Sequence, residues 1–159
     1  MIPSLFNYSE NFNPEDVVLE HARARGVEVG ANDISVGTGV FLQQLAHLLF
    51  AQSVVEVGTG SGVGSLYLLR GMIDSGTLTS IDDEIEHARI AKMAFYEAEI
   101  EAARFRLITN PVMDVLSKLT DRAYDLVLLR HDPIDLTYTI DEAHRILRSG
   151  GVLVIDSFF

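Results

Sequence analysis

The chain has 159 residues, no cysteine and a formal net charge of −11 at pH 7. A chain of this length can bury one substantial core, and the missing cysteines exclude disulfide and thiolate chemistry. The negative charge disfavours nucleic acid and anionic membranes as partners. The sequence has no apolar run of membrane-spanning length and no basic leader at its start, so we expect a cytoplasmic globular protein.

The first 50 residues predict an N-terminal arm and two helices that cap a sheet. Residues 1–13 are predicted to be irregular, and Asn13 is predicted to be the N-cap of a first helix, with Pro14 at its first position. That helix is expected to end at Gly26, and a second is expected over Gly37–Phe50. The predicted inward face of the second helix consists of Val40, Phe41, Leu45, Leu48 and Leu49.

A glycine-rich turn follows the first predicted strand. β-Branched residues at Val54, Val55 and Val57 predict a buried strand. Four glycines then alternate with other residues before a leucine-rich helix, at Gly58, Gly60, Gly62 and Gly64. Strand, glycine turn and helix form the first unit of a doubly wound α/β sheet, and the free N–H groups at the helix start face any ligand there.

The spacing of these glycines narrows the ligand class. The dinucleotide pattern G-x-G-x-x-G would need a glycine at Val63 or Ser65, and the P-loop would need a Gly-Lys-Ser/Thr sequence that is absent. What is present is Glu56-x-Gly58-x-Gly60-x-Gly62. We therefore predict a nucleotide-type site of another kind.

The second predicted strand, Thr77–Ile81, ends in two acids. Asp82 stands at the carboxyl end, where doubly wound sheets bind ligands, and is predicted to accept both hydroxyls of a ribose. Asp83 or Glu84 is the alternative for capping the next helix, and we assign the cap to Asp83.

Alternating helices and strands continue to the end of the chain. Helices are predicted over 84–99, 112–119 and 135–147, and strands over 104–109, 124–129 and 152–155. In the 84–99 helix the predicted inward residues are Ile85, Ala88, Ala91, Phe95 and Ala98. We predict a single α/β domain over 1–159, with the arm and cap helices in 1–50 and a cofactor-binding core in 51–159.

The ordered set of signals resembles the class I S-adenosylmethionine (SAM)-dependent O-methyltransferases of the catechol and caffeoyl-CoA type, and the small actinobacterial members most closely. It comprises Glu56–Gly62, Asp82, the strand from Tyr124 and the Leu147–Val154 segment. The resemblance implies a Rossmann-like, doubly wound, mostly parallel sheet in the order 3-2-1-4-5, with SAM as the cofactor. The residues that it implies for cofactor binding are Glu56, Gly58, Thr59, Gly60, Ser61, Gly62, Asp82, Asp83, Val112, Met113 and Arg130.

The resemblance also implies a divalent-metal site, formed by an Asp after the fourth strand and Asp-Asn after the fifth. This chain has Arg130, Asp156 and Ser157 there, and Pro133 stands where some members carry a catalytic lysine. We therefore expect no bound metal, and we expect Arg130 to pair with Asp156 or Asp132. The family's further helix and antiparallel strand pair are missing after the fifth strand, which predicts a fragment, an open pocket, or a pocket closed by another chain.

Three functions remain as hypotheses. The first is O-methyl transfer to a small-molecule hydroxyl without a metal, with His131, Asp132 and Arg130 as the catalytic candidates. The second is a non-catalytic SAM-binding scaffold. The third is an NAD-dependent oxidoreductase, which the missing third glycine and the missing Ser-Tyr-Lys set oppose. An unpaired fifth strand at the sheet edge, followed by Phe158 and Phe159, predicts a homodimer.

Overall fold

The computed structural model describes residues 5–130 and 136–156. Its α-helices are Leu5–Phe12 (α1), Val17–Val29 (α2), Val36–Leu48 (α3), Val63–Gly71 (α4), Ile85–Glu97 (α5), Val112–Leu116 (α6) and Leu136–Ile146 (α7). Its strands are Ser53–Val57 (β1), Thr77–Asp82 (β2), Phe105–Thr109 (β3), Tyr124–Leu129 (β4) and Leu147–Ile155 (β5), with a 3₁₀ turn at Ala102–Arg104 before β3. Within these ranges, no helix has the length and apolar character needed to cross a bilayer.

The five strands form one parallel sheet in the order β3-β2-β1-β4-β5, which confirms the predicted fold class and strand order. The last residue of β1, Val57, is level with Ile81 of β2 and with Leu129 of β4. The residues that follow these three strands therefore meet at one edge of the sheet, the carboxyl edge. This edge is where a doubly wound sheet binds its ligands.

Each face of the sheet is covered by its own hydrophobic cluster. Val54 of β1 belongs to the cluster that includes Leu42, Leu66 and Phe95 from the helices α3, α4 and α5. Val55 and Val57 point the other way, into a cluster with Leu116 of α6 and Ile146 of α7. Helices on both faces explain why β1 and β4 read as almost continuous apolar runs.

The N-terminal region differs from its prediction. Leu5–Phe12 is a helix rather than an irregular arm, and the N-cap of α2 is Asp16 instead of Asn13. The Asp16 carboxylate accepts a hydrogen bond of 3.0 Å from the backbone N–H of Leu19, which is the third residue of the helix and the usual partner of an N-cap side chain. The helix continues past Gly26 and ends at Gly30, whose φ of 72° is favourable for glycine.

Gly26 marks a close approach and not a helix end. A Cβ atom there would lie 2.6 Å from Oδ2 of Asp33 and 3.0 Å from Cβ of Ser61. The absence of a side chain thus lets α2 pack directly against the glycine turn. In this way the N-terminal helices are brought to the carboxyl edge of the sheet.

The predicted inward faces of two helices are partly wrong. In α3, Phe41 and Leu48 are 58% and 74% exposed, while Gly39, Leu42 and Ala46 are buried. A Cβ on Gly39 would lie 2.3 Å from the Tyr67 ring, so small residues form the face that contacts α4. In α5 the predicted Ile85 is exposed, while Ile90 and Ala94 are among the residues that pack inward.

The fifth strand is longer than predicted. Leu147 pairs with Tyr124, the pairing then shifts, and Val152 pairs with Leu126. The Ser149–Gly151 segment, predicted as a helix stop, therefore lies inside the strand as an irregularity, with Gly150 at φ 78°. Most of the other predicted boundaries agree with the structure to within three residues.

Replacing Phe95 with alanine is expected to lower the free energy of unfolding by about 3–5 kcal/mol, because the fully buried ring packs edge-on against Phe105 with centroids 4.9 Å apart. Urea denaturation measures the change. The matched control is Tyr96→Ala on the same helix, where the ring is 59% exposed and a far smaller change is expected. Equal losses in the two variants would contradict this view of the core.

Candidate cofactor site

The turn between β1 and α4 requires glycine for its backbone conformation. Gly58, Gly60 and Gly62 have φ angles of 92°, 55° and 90°, in the left-handed region that other residues rarely adopt. Gly62 is also the N-cap residue of α4, and a Cβ there would lie 3.0 Å from Ala91 of α5. The lack of a side chain at Gly62 therefore lets the turn pack closely against α5. Gly58 and Gly60 instead face a cavity at the carboxyl edge.

That cavity has a volume of about 260 Å³. Its walls come from the glycine turn, from the end of β2 and start of α5, from the end of β4, and from the segment between α2 and α3. The lining residues are Gly30, Asn32, Gly58, Gly60, Asp82, Asp83, Glu84, His87 and Arg130. The structure thus brings together five of the residues predicted for the site, namely Gly58, Gly60, Asp82, Asp83 and Arg130.

Asp82 connects the glycine turn to the start of α5. Its carboxylate accepts hydrogen bonds from the backbone N–H of Gly60 at 3.1 Å and of Glu84 at 2.9 Å. Nδ1 of His87 lies 3.2 Å from both carboxylate oxygens. Glu84 is the N-cap residue of α5 and its side chain makes no cap bond, so the assignment of the cap to Asp83 is wrong. Asp82 itself satisfies the N–H group at the start of this helix.

Glu56 is fully buried beneath the glycine turn and is not part of the cavity wall. The hydroxyls of Ser65 and Ser80 donate to its Oε2, the latter at 2.7 Å. Among the described residues its Oε1 has no hydrogen-bond partner. Burial raises the pKa of Glu56 to about 7, although Arg130 and the two serines act in the opposite direction.

The side chain of Arg130 is 2% exposed. Its Nη1 donates to the carbonyl oxygen of Gly58 at 3.1 Å, and its Nη2 donates to that of Asn32 at 2.5 Å. The predicted pair with Asp156 is present as a single contact of 3.7 Å from Nε to Oδ2. The guanidinium therefore joins the glycine turn to the N-terminal segment more closely than it pairs with the acid.

The other predicted site residues divide into three groups. Thr59 and Ser61 are buried and support the turn, Thr59 through a 2.7 Å contact with Ser80. Val112 packs into the core and Met113 is 37% exposed, and neither lines the cavity. The catalytic candidates His131 and Asp132 lie outside the described residues, as do Pro133 and Ser157.

Sequence reasoning missed two residues, Asp33 beside the glycine turn and His87 in the wall of the cavity. Asp33, in the predicted linker, accepts from the backbone N–H of Ser61 at 3.2 Å and from its hydroxyl at 2.7 Å. No periodicity signals such a contact between segments distant in sequence. His87 had a usable signal, because it lies in the first turn of the helix that follows the predicted ribose acid.

Comparison with known proteins identifies the family. A family model described as O-methyltransferase matches residues 10–159. The chain belongs to the O-methyltransferase family. A protein of Mycobacterium sp. strain KMS, whose name assigns it to the O-methyltransferases, is 47% identical over 148 residues, which are 93% of this chain and 67% of the relative. The predicted resemblance and enzyme class are therefore confirmed, and the chain spans about two-thirds of that relative's length.

Solved structures agree with this O-methyltransferase fold. A crystal structure of a Corynebacterium glutamicum protein has a TM-score of 0.88 and 34% identity, and covers 95% of this chain and 71% of its own. TomG from Streptomyces achromogenes, an O-methyltransferase of tomaymycin synthesis crystallised with SAM, has a TM-score of 0.86 and 26% identity. That match covers 94% of this chain and 69% of TomG.

Protonation of Glu56 should make the stability of this O-methyltransferase depend on pH. Because the folded-state pKa of about 7 exceeds the ordinary 4.5, the folded state binds the extra proton, and this stabilisation is lost as pH rises between those values. Glu56→Gln cannot ionise. We expect the free energy of unfolding of the wild type, minus that of the variant, to fall by about 3 kcal/mol across this window.

Chemical denaturation at several pH values measures that difference. The matched control is Glu86→Gln, which removes an exposed carboxylate in an i,i+3 pair and should give a nearly constant difference. If the Glu56→Gln difference is equally constant, Glu56 is already ionised in the folded protein.

Proposed function

We propose that this chain binds SAM in the carboxyl-edge cavity and transfers its methyl group to a hydroxyl of a small molecule. The observation that carries the proposal is the position of Asp82. Its carboxylate is held against the backbone of Gly60 and faces the cavity, in a chain of the O-methyltransferase family. The SAM bound to TomG supports SAM as the cofactor.

The residues present fit such a cofactor. Gly58 and Gly60 have no side chains to fill the cavity, and a Cβ on Gly60 would lie 3.1 Å from Oδ1 of Asp33. Asp82 offers carboxylate oxygens to ribose hydroxyls. The acidic lining of Asp83 and Glu84 favours a ligand with positive charge, as a sulfonium has.

When bound, SAM supplies an electrophilic methyl group to an oxygen nucleophile. The chain itself contributes a rigid platform at the sheet edge, which holds donor and acceptor in a reactive geometry. Removal of the hydroxyl proton requires a base near the end of β4, and we assign it to His131 or Asp132. Arg130, at the same strand end, contributes positive charge beside the reaction site.

The two alternative functions have less support. The family match and the O-methyltransferase relatives favour methyl transfer over a non-catalytic scaffold. An NAD-dependent oxidoreductase would need a third glycine at Val63 or Ser65, and Ser65 instead bonds to Glu56.

The reaction that we propose uses no bound metal. The residues described at the ends of β4 and β5, Arg130 and Asp156, provide one carboxylate and one guanidinium, a poor set for a divalent ion. Among the described residues, no group of three acids or histidines is arranged to hold a metal. The positive charge of Arg130 is fixed by the carbonyl oxygens of Gly58 and Asn32.

Two further expectations complete the proposal. A homodimer is supported by β5, whose outer edge has no partner strand among the described residues, and sedimentation velocity would test it. The cytoplasmic location inferred from the sequence stays a prediction.

Substitutions at the cavity should weaken SAM binding. Asp82→Ala removes the acceptor of the ribose hydroxyls, and Gly60→Val places a branched side chain in the cavity on a left-handed backbone. We expect each to weaken the affinity by more than about tenfold in isothermal titration calorimetry. The control is Asp74→Ala in the exposed turn before β2. Unchanged affinity in Asp82→Ala would remove the ribose assignment.

Divalent ions should have no effect on this protein. We expect neither Mg²⁺ nor Ca²⁺ to change the melting temperature or the affinity for SAM, and EDTA to be equally without effect, because Arg130 repels a cation beside Asp156. Arg130→Asp supplies a second carboxylate and should make the melting temperature respond to these ions. A divalent ion bound by Asp156 in the wild type would refute the metal-free reaction.

A further inference from the structure

His87 is the residue of the cavity to which neither the sequence nor the family assignment gives a role. We propose that His87 is an exchangeable partner of Asp82, and that the ribose hydroxyls of the cofactor displace it on binding. The inference rests on the proposed function, because it needs a ribose-bearing ligand in the cavity. It makes His87 a positioning residue for cofactor binding.

The hydrogen bonds of Asp82 determine which partner leaves. An ionised carboxylate has about four acceptor positions. The N–H groups of Gly60 and Glu84 take two of them, and both belong to the backbone of ordered segments. Nδ1 of His87 lies 3.2 Å from each carboxylate oxygen and occupies the remaining acceptor positions. A ribose diol donates two hydrogen bonds, so the carboxylate can accept both only when His87 is released.

His87 can move without disturbing the fold. Its side chain is 20% exposed and lines the cavity, whereas the side chain of Asp82 is 7% exposed. A rotation of the imidazole leaves the backbone of α5 in place. In the free protein the imidazole gives the buried carboxylate a partner, which matters because buried polar groups without one are costly.

This exchange predicts that acid weakens binding. Histidine ordinarily changes charge between about pH 5 and 8, and a protonated imidazole bonds a carboxylate more strongly than a neutral one. The charged groups that line the cavity together with His87 are Asp82, which contacts it, Asp83 and Glu84 at the end of β2 and start of α5, and Arg130 at the end of β4. A protonated His87 therefore competes better with the ribose.

Burial raises the pKa of Glu56 to about 7, so an effect of Glu56 on binding must be separated from an effect of His87. The variant His87→Gln makes this separation, because it leaves Glu56 unchanged, and two ligands show which end of the cofactor is affected. S-adenosylhomocysteine has an amino-acid end as well as a ribose, while 5′-methylthioadenosine has the ribose and adenine alone. A pH effect on 5′-methylthioadenosine reports the ribose end of the cavity.

The experiment is calorimetry of both ligands between about pH 5.5 and 8. For wild-type protein we expect the affinity for 5′-methylthioadenosine to fall about tenfold toward acid pH. His87→Gln, which keeps a donor without titrating, should bind with an affinity that does not vary with pH. His87→Leu, which removes the donor, should bind at least as tightly as wild type at the alkaline end.

The matched control is His21→Gln. His21 also contacts a carboxylate, that of Glu97 at 2.5 Å, but lies away from the cavity, so this variant should keep the wild-type pH dependence. A pH dependence retained in His87→Gln, or weaker binding by His87→Leu, would overturn the role of His87. If wild-type protein binds neither ligand at any pH, the proposed function fails as well, whereas binding that is independent of pH overturns this inference alone.

Discussion

The carboxylate of Glu56 is the constraint around which the site is built. A buried carboxylate is costly unless hydrogen bonds and charges compensate it. Ser65 from α4 and Ser80 from β2 donate to it, and Arg130 at the end of β4 adds a positive charge. Gly64 leaves room for this carboxylate, since a Cβ at that position would lie 2.5 Å from Oε1 of Glu56. Three neighbouring strands and the first helix of the sheet thus meet at a single buried group.

The same arrangement explains why the N-terminal segment reaches the carboxyl edge. Arg130 lies between the carbonyl oxygens of Gly58 and Asn32, and Asp33 holds Ser61 from the other side. Gly26 permits the close packing of α2 that this requires. The cavity is therefore shared by the sheet and the N-terminal helices, and Arg130 is central to it in a way that a metal-binding aspartate would not be.

The sheet and the glycine turn could be predicted from the sequence. β-Branched residues favour strands, and glycine is the residue that readily adopts left-handed backbone angles. Prediction from the sequence fails where packing between distant segments determines which residues are buried. Phe41 and Leu48 looked like the inward face of α3, but Gly39 and Ala46 form the close contact with α4. The Asp33–Ser61 contact joins segments with no shared pattern, and the shift of pairing in β5 spans Gly150, whose φ is 78°. His87 belongs to no motif, and the signal that it offered was its place in the first turn of the helix after Asp82.

The most direct test of the account is a crystal structure of the protein with S-adenosylhomocysteine. We expect the ligand in the carboxyl-edge cavity, with both ribose hydroxyls on the carboxylate of Asp82, the amino-acid end beside Gly58 and Gly60, and the imidazole of His87 turned away. A ligand bound elsewhere, or a ribose that does not contact Asp82, would contradict it.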